Sequence, residues 1–434
     1  MPTYDAVIVG GGFAGLSAAV DLAARGALVI VVEGRPMLGG RATSYRDRVT
    51  GDDVDNGQHV LFGCYRETFR FLRAIGADGD VRLQPRLGVS YVNRDGRKIR
   101  FACPDLPVPL HLLGGVVEWD ELSVAEKLAG LRMAGLVRQL RQRANDGLPE
   151  AVVGERETAR DWLLRPSIKA LVWPARPRLR ECSPSCAVLA RRTRPLGSRV
   201  VRSRCSTPFR LVGLLSLAVG QFGLARLEGP RSSTAVLSGS RRGVSSSLHR
   251  SSSWPSPGSR CLRYSIPPPP SLLPVLERQD AMGSVPIVSV YLWFDTSVLP
   301  EAFLGLQGMT MQWVFDKRAA SGPHGTHLTL VSSGAETIVG LSNTVLIELE
   351  LSDLRSAVPA ARDVAVSHAP VILERRATFS LAPGEPGRPG SETVIRGLYL
   401  AGDWIETGLP SYDIESAVVS GHRAGELAFL ELEG

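Results

Sequence analysis

The apolar run Ala6–Val9 is short and continuous, the pattern of a strand buried on both faces, and Leu16–Ala24 has the composition of a helix. Gly10, Gly12 and Gly15 stand at the junction, so the strand is expected to turn tightly into the helix. Ala27–Val32 is a second predicted strand, ended by Glu33. Farther on, Tyr65, Phe69, Leu72 and Ile75 recur at helical spacing, which gives that helix one apolar face. Ser123 and Glu126 form a capping box for a helix running to about Arg143, and another helix begins at Thr158–Leu163. Pro286–Phe294 and Ile372–Phe379 have the β-branched and aromatic content of strands. Near the end, Gly397–Ala401 reads as a short strand and Ile414–Leu430 as a helix.

A chain of 434 residues is long enough for two domains with substantial cores. It has no apolar run of about 18 residues, and it opens on a strand rather than a signal peptide, so a cytoplasmic protein is expected. The six cysteines lack metal-type spacing, and Cys64 and Cys103 are expected to be reduced. The net charge of +7 is unevenly spread: Leu171–Asp280 holds 18 Arg, no Lys and four acidic residues, a balance of +14 against −7 elsewhere. That stretch also holds 20 Ser, 13 Pro and four of the six Cys, a composition that does not favour packing. Its arginines lack aromatic interleaving and any recognisable module, so nucleic acid is not an expected partner.

The chemistry concentrates at the two ends. Gly10, Gly12 and Gly15 have G-x-G-x-x-G spacing after a strand and before a helix. Gly10 permits the turn, Gly12 lets backbone approach a pyrophosphate, Gly15 lets the helix pack on the sheet, and Ala14 lies in the helix's first turn. Glu33, 18 residues after Gly15, is placed to accept hydrogen bonds from ribose hydroxyls. Glu33-Gly34-Arg35 and Gly39-Gly40-Arg41 resemble the flavin variant of this fold found in amine oxidases and carotenoid desaturases. There the Gly-Gly-Arg turn brings a guanidinium to the pyrophosphate, a task suited to a two-pronged donor. Gly402-Asp403-Trp404 resembles the second half of the same site. The resemblance implies that Asp403 bonds a ribityl hydroxyl and that the last helix points its positive N-terminus at the flavin ring. The alternative for Asp403 is a turn cap.

A narrower resemblance rests on Gly57-Gln58-His59 with Gly63-Cys64-Tyr65, Leu106–Gly115, Pro286–Asp295, Gln312–Asp316, Glu374–Phe379 and Ala401–Ser420. These resemble the bacterial hydroxysqualene dehydroxylases, also called squalene-associated FAD-dependent desaturases, of hopanoid synthesis. The resemblance covers residues 1–173 and 283–434. It implies an α/β fold, with a Rossmann-like, GR2-type FAD-binding domain from 1–75 and 390–434 and a mixed α+β substrate domain from 76–173 and 283–389. Residues 174–282 form an aberrant Arg/Ser/Pro-rich segment, readable as a basic insertion, a binding tail or a stretch translated in a shifted frame. The flanks resemble a compact enzyme of about this length and leave no room for an insertion, which favours the third reading. Pro174–Cys182, back-translated with chosen wobble bases and read one base later, becomes Pro-Leu-Ala-Leu-Ala-Ser-Val-Asn-Ala, a sequence of the kind the family carries here. In this fold a central segment normally returns to the cofactor domain, and it should fall inside Leu171–Asp280.

By that resemblance, reduced FAD delivers hydride to the allylic carbon of hydroxysqualene as the hydroxyl leaves, giving squalene, and an external reductant restores the flavin. His59 is the candidate proton donor or oriented polar group, the alternative being a histidine that holds its loop. Cys64 and Tyr65 are expected to pack. The Pro-broken, apolar Leu106–Gly115 is a lid over an apolar pocket or ordinary core. So insoluble a substrate implies peripheral membrane contact through Leu106–Val117. The rivals are a phytoene-type desaturase or an amine oxidase on the same fold, and an inactive flavoprotein remnant.

Overall fold

A computed structural model describes residues 4–128 and 270–433, apart from 82, 108–109, 319–325, 381, 383 and 410–412, together with two strands at 224–226 and 234–238. The first stretch holds β1 (Ala6–Val9), α1 (Phe13–Ala24), β2 (Val29–Glu33), β3 (Ser44–Arg46), β4 (Asp53–Asp55), α2 (Arg66–Ala74), β5 (Gly88–Asn93), β6 (Lys98–Ala102) and α3 (Leu110–Glu118). The isolated strands are β7 (Leu224–Arg226) and β8 (Thr234–Ser238). The last stretch holds α4 (Leu273–Ala281), β9 (Ser284–Phe294), β10 (Phe303–Gln307), β11 (Trp313–Asp316), β12 (His327–Ser333), α5 (Asn343–Ala357), β13 (Val366–His368), β14 (Val371–Phe379), β15 (Leu398–Ala401) and α6 (Ile414–Glu433).

The two ends of the chain meet in one sheet of order β15-β8-β1-β2-β7. β1 and β2 run parallel with Ala6 opposite Val29, as a strand-helix-strand unit requires. β8 is inserted antiparallel between β1 and β15. β7 and β8 lie inside the Arg/Ser/Pro-rich segment, so part of that segment returns to the cofactor sheet despite its composition, where sequence reasoning expected a return. Chain from Pro270 is also structured: α4 presents Val275 to Met282, Trp404 and Ile405. The helix expected at Thr158–Leu163 lies outside the described residues. So does most of the helix after Ser123, although the capping box forms, with Ser123 N–H donating to Glu126 Oε2 at 2.8 Å.

Small side chains let α1 and α6 cross at close range. Their core is Ala14, Ala18, Ala19 and Leu22 against Ala424 and Ala428, over Ala6, Ile8, Val29 and Val31 of the sheet. The Ser17 hydroxyl bonds the Val418 carbonyl across the crossing at 3.2 Å. α2 joins through Phe71 and Leu72, and Glu415 of α6 caps it from outside by accepting Glu67 N–H (3.0 Å), Thr68 N–H (2.8 Å) and the Thr68 hydroxyl (2.7 Å).

The second sheet runs β13-β9-β12-β11-β10-β5-β6, with β14 also on β9. Its long central strand has two characters, set by the twofold alternation of side chains. Val288, Val290, Leu292 and Phe294 face a core with Leu328, Leu330, Leu346 and Leu354. Ser289, Tyr291 and Trp293 lie on the opposite face, where the β3-β4 hairpin packs through Val54. Trp293 donates to Asp52 (2.7 Å), and His327 stacks on its ring with centroids 4.5 Å apart.

Candidate functional site

β1 carries the chain to Gly10, whose φ of +105° is the left-handed turn that glycine permits. Helix α1 starts at Phe13 behind Gly12, which no side chain caps, so the positive helix end is open to an anion. The Gly39-Gly40 turn lies directly against this loop: Gly39 N–H donates to Gly11 O at 2.8 Å, and a Cβ on Gly40 would sit 3.1 Å from Gly12 Cα. Glu33, the last residue of β2, accepts from Gly11 N–H (2.6 Å) and Arg35 N–H (3.0 Å). Arg35 reaches back to the Gly40 carbonyl at 3.0 Å. Gly10, Gly12, Glu33, Arg35 and Gly40 are thus gathered at the carboxyl ends of β1 and β2, where open α/β sheets bind dinucleotides. Ala14 and Gly15 are buried in the first turn of α1.

The C-terminal half arrives beside it. The Ser420 hydroxyl of α6 accepts from Gly402 N–H and donates to Gly402 O, both at 2.9 Å, which fixes the turn after β15. Asp403, 3% exposed, pairs with Arg41 at 2.5 Å, and Arg41 also donates to the Ala377 carbonyl at 2.8 Å. The two residues expected on pyrophosphate and ribityl chain, distant in sequence, are in contact. Asp413, just before α6, accepts from Ser416 N–H (2.9 Å) and from the Tyr65 hydroxyl (2.6 Å), so Tyr65 is buried as expected and also makes a hydrogen bond that the sequence did not foretell. Cys64 and Cys103 are both free thiols; Cys103 is buried, but Cys64 is exposed, against the expectation that it packs.

A polar cluster joins these halves to the second sheet. Lys317, just past β11 and 5% exposed, donates to Asp55 at 2.6 Å and to Gln58 at 2.9 Å. Asn56 donates to Glu374 (3.0 Å) and to the Arg41 carbonyl (3.3 Å), and Tyr291 donates to the Asp55 carbonyl (2.9 Å). Burial would raise the Asp55 carboxyl, but the Lys317 charge and hydrogen bonds from Lys317 and Ser44 hold it below its usual value. Burial pushes His59 below its usual value, with Lys317 and Arg41 acting the same way, against Asp55 and a hydrogen bond to the Arg41 backbone. Its Nε2 is shielded from water and unpartnered, as is the Ser289 hydroxyl. Gly57 lies over that hydroxyl, since its Cβ would stand 3.8 Å from Ser289 Oγ. Sequence reasoning missed Lys317. The available signal was a lysine two residues past the apolar Trp313–Phe315 run, directly after the Gln312–Asp316 motif already singled out.

These residues fit FAD. The glycine cradle accommodates a pyrophosphate, Glu33 a ribose, and the Arg41–Asp403 pair supplies a cation and an acceptor along the path between the halves. The family model of flavin containing amine oxidoreductases matches residues 13–165 and 261–427, breaking across much of the Arg/Ser/Pro-rich segment. Hydroxysqualene dehydroxylases of Zymomonas mobilis and Sinorhizobium fredii are each 26% identical to this chain, covering 97% and 98% of it and 98% of their own lengths. A zeta-carotene desaturase of Zea mays is 33% identical, over 32% of this chain and 25% of its own. Among solved structures, cyclohexylamine oxidase of Brevibacterium oxydans superposes with a TM-score of 0.52 at 15% identity, covering 100% of this chain and 99% of its own. An oxidoreductase of Methanosarcina mazei does so at 0.55 and 14%, covering 97% and 99%. With a two-ended cradle for the cofactor and a family match over most of its length, the chain belongs to the flavin containing amine oxidoreductases and is an FAD-dependent oxidoreductase.

Proposed function

We propose that this oxidoreductase acts on a C30 isoprenoid and reductively dehydroxylates hydroxysqualene to squalene. The observation that carries the reading is similarity to two hydroxysqualene dehydroxylases over nearly the whole of both partners, whereas a 15-cis-phytoene desaturase of Arabidopsis thaliana, 25% identical over 96% of this chain, is covered over 78% of its own length. Bound FAD supplies two-electron chemistry, and net reduction requires an external reductant. The chain's residues bind and orient: the Gly10–Gly15 backbone, Glu33 and Arg41 hold the cofactor, and Asp403 closes the site from β15. His59 serves as an oriented polar group rather than the proton donor, because burial favours the neutral imidazole. A neutral ring has one N–H, spent on the Arg41 carbonyl, and this leaves Nε2 as an acceptor.

Anaerobic incubation with hydroxysqualene, FAD and dithionite should yield squalene. No squalene, with conversion of a phytoene-type polyene or an amine instead, would overturn the reading. Protein that stays colourless after FAD is added would support an inactive remnant.

Membrane contact belongs to the same proposal. α3 packs through Gly114 and Gly115 on Pro104, Leu106, Phe101 and Cys103, leaving Leu110 and Val117 about half exposed. Among the described residues no helix is long and apolar enough to cross a membrane; the half-exposed Leu110 and Val117 are what support peripheral contact. Replacing Leu110 and Leu112 with Asp should abolish sedimentation with phospholipid vesicles, and unchanged sedimentation would count against the contact.

A further inference from the structure

Lys317 is the point at which the substrate-side sheet holds the cofactor-side loop. Its backbone N–H continues the β11-β12 ladder by donating to His327 O at 3.1 Å, so its base is fixed in the sheet. Its ammonium is buried and spends two donors on residues three apart, Asp55 at the end of β4 and Gln58 in the loop after it. The residues between and beside those two both turn back on a single atom group: Asn56 and His59 each hydrogen-bond the Arg41 carbonyl. The Arg41 guanidinium in turn pairs with Asp403. A continuous set of polar contacts therefore runs from Lys317 through the 55–59 loop to the two residues that frame the FAD site from opposite ends of the chain.

We propose that Lys317 is a positioning residue: by tying Asp55 and Gln58 together on the edge of the second sheet, it sets the 55–59 loop and, through the Arg41 carbonyl, aligns the Arg41–Asp403 pair for FAD. The inference rests on the reading of Arg41 and Asp403 as cofactor residues, and it is independent of which substrate the enzyme takes. A burial of this kind is not explained by stability alone, since a buried ion pair is often matched or surpassed by apolar side chains of similar volume. Lysine offers what those replacements lack, several donors on one point charge that can hold two loop residues at once. The charges acting on His59 are Asp55, Lys317 and Arg41, so removing the Lys317 ammonium strengthens the net influence of Asp55.

The test uses full-length protein and four variants, with FAD affinity from flavin fluorescence and the His59 midpoint from NMR titration, assigned by the loss of its signal in His59→Phe. Lys317→Met should weaken FAD binding at least about tenfold, equivalent to about 1.4 kcal/mol, and should move the His59 midpoint upward. Lys317→Arg keeps the charge and a two-pronged donor and should restore both readouts most of the way. Removing one partner of a buried pair can unfold a protein, so the double variant Asp55→Asn with Lys317→Met removes both charges and permits folding. That variant should remain folded yet bind FAD as weakly as Lys317→Met. Wild-type FAD affinity in the double variant, an unmoved His59 midpoint in Lys317→Met, or no rescue by arginine would each overturn the positioning role. None of these outcomes depends on turnover of hydroxysqualene, so failure here is separable from failure of the proposed reaction.

Discussion

Replacing Gly421 by Ala tests whether the α1–α6 contact holds the cofactor cradle in place. A Cβ at this position would stand 2.1 Å from both the Ala14 carbonyl oxygen and the Ser17 hydroxyl, and 2.9 Å from the Ala14 carbonyl carbon. Ordinary contact begins near 3.4 Å, so the helices must separate by roughly 1 Å, and backbone atoms of a packed helix cannot swing aside as a side-chain end can. Overpacking of this kind costs about 1–3 kcal/mol, and a backbone clash belongs at the top of that range. Alanine gains about 1 kcal/mol over glycine within a helix, which leaves a net loss of about 2 kcal/mol and lowers the melting temperature by roughly 2 °C in a chain of this length. Ala14 lies in the first turn of α1, so FAD affinity should fall together with stability. Two controls grade the argument. Gly425→Ala places its Cβ 3.2 Å from the Ala18 carbonyl and should cost less, and Gly340→Ala meets nothing within 4 Å and should be neutral. Thermal melts with and without FAD read the result. If Gly421→Ala melts as Gly340→Ala does, the close crossing of α1 and α6 is not what holds the cradle.

Arg41→Leu removes the cation beside Asp403 and should weaken FAD binding at least tenfold, equivalent to about 1.4 kcal/mol, which FAD titration would read directly; unchanged affinity would remove Arg41 from the site. Buried His327 titrates near 4 because of burial first and the Lys317 charge second, against Asp52, Asp55 and Asp316. The unfolded chain takes up this proton below about pH 6.5 while the folded protein refuses it until about pH 4. Stability should therefore fall by about 2 kcal/mol from pH 7.5 to pH 5 on this account. Urea midpoints should show a flatter pH dependence in His327→Phe, and an identical slope would contradict the assignment. Glu415→Ala leaves two amides and a hydroxyl at the start of α2 without their acceptor, and a loss of about 1–2 kcal/mol is expected by denaturant titration.

The cofactor half was legible because its chemistry demands residues at fixed spacing. Gly10, Gly12, Gly15 and Glu33 form one local strand-helix-strand unit, and a positive-φ turn leading to an uncapped helix can be read from neighbours alone. The long strand β9 and the capping box at Ser123 were legible for the same local reason. Lys317 escaped because nothing near it in sequence reveals its partners: Asp55 and Gln58 lie 262 and 259 residues away. The same holds for Glu415, which caps a helix 347 residues distant, and for Gly421, whose missing side chain matters only where α6 meets α1. Composition misled in one place. The arginine, serine and proline content of the central segment argued against packing, yet β7 and β8 pair by backbone with β2, β1 and β15. Sheet pairing draws on N–H and C=O groups that every residue but proline carries.

Spacing along the chain was sufficient for a dinucleotide-binding strand-helix-strand unit, since a pyrophosphate-binding turn and a ribose-binding acid are built from neighbours, and the resemblance of the Gly39–Arg41 and Gly402–Trp404 motifs added the flavin, the fold class and the second half of the cradle. Folding alone decided that Arg41 meets Asp403, that a buried lysine ties the loop between them to the second sheet, and that His59 sits among charges and burial that favour its neutral form. Those are properties of distance and desolvation, which exist only once remote segments have been brought together.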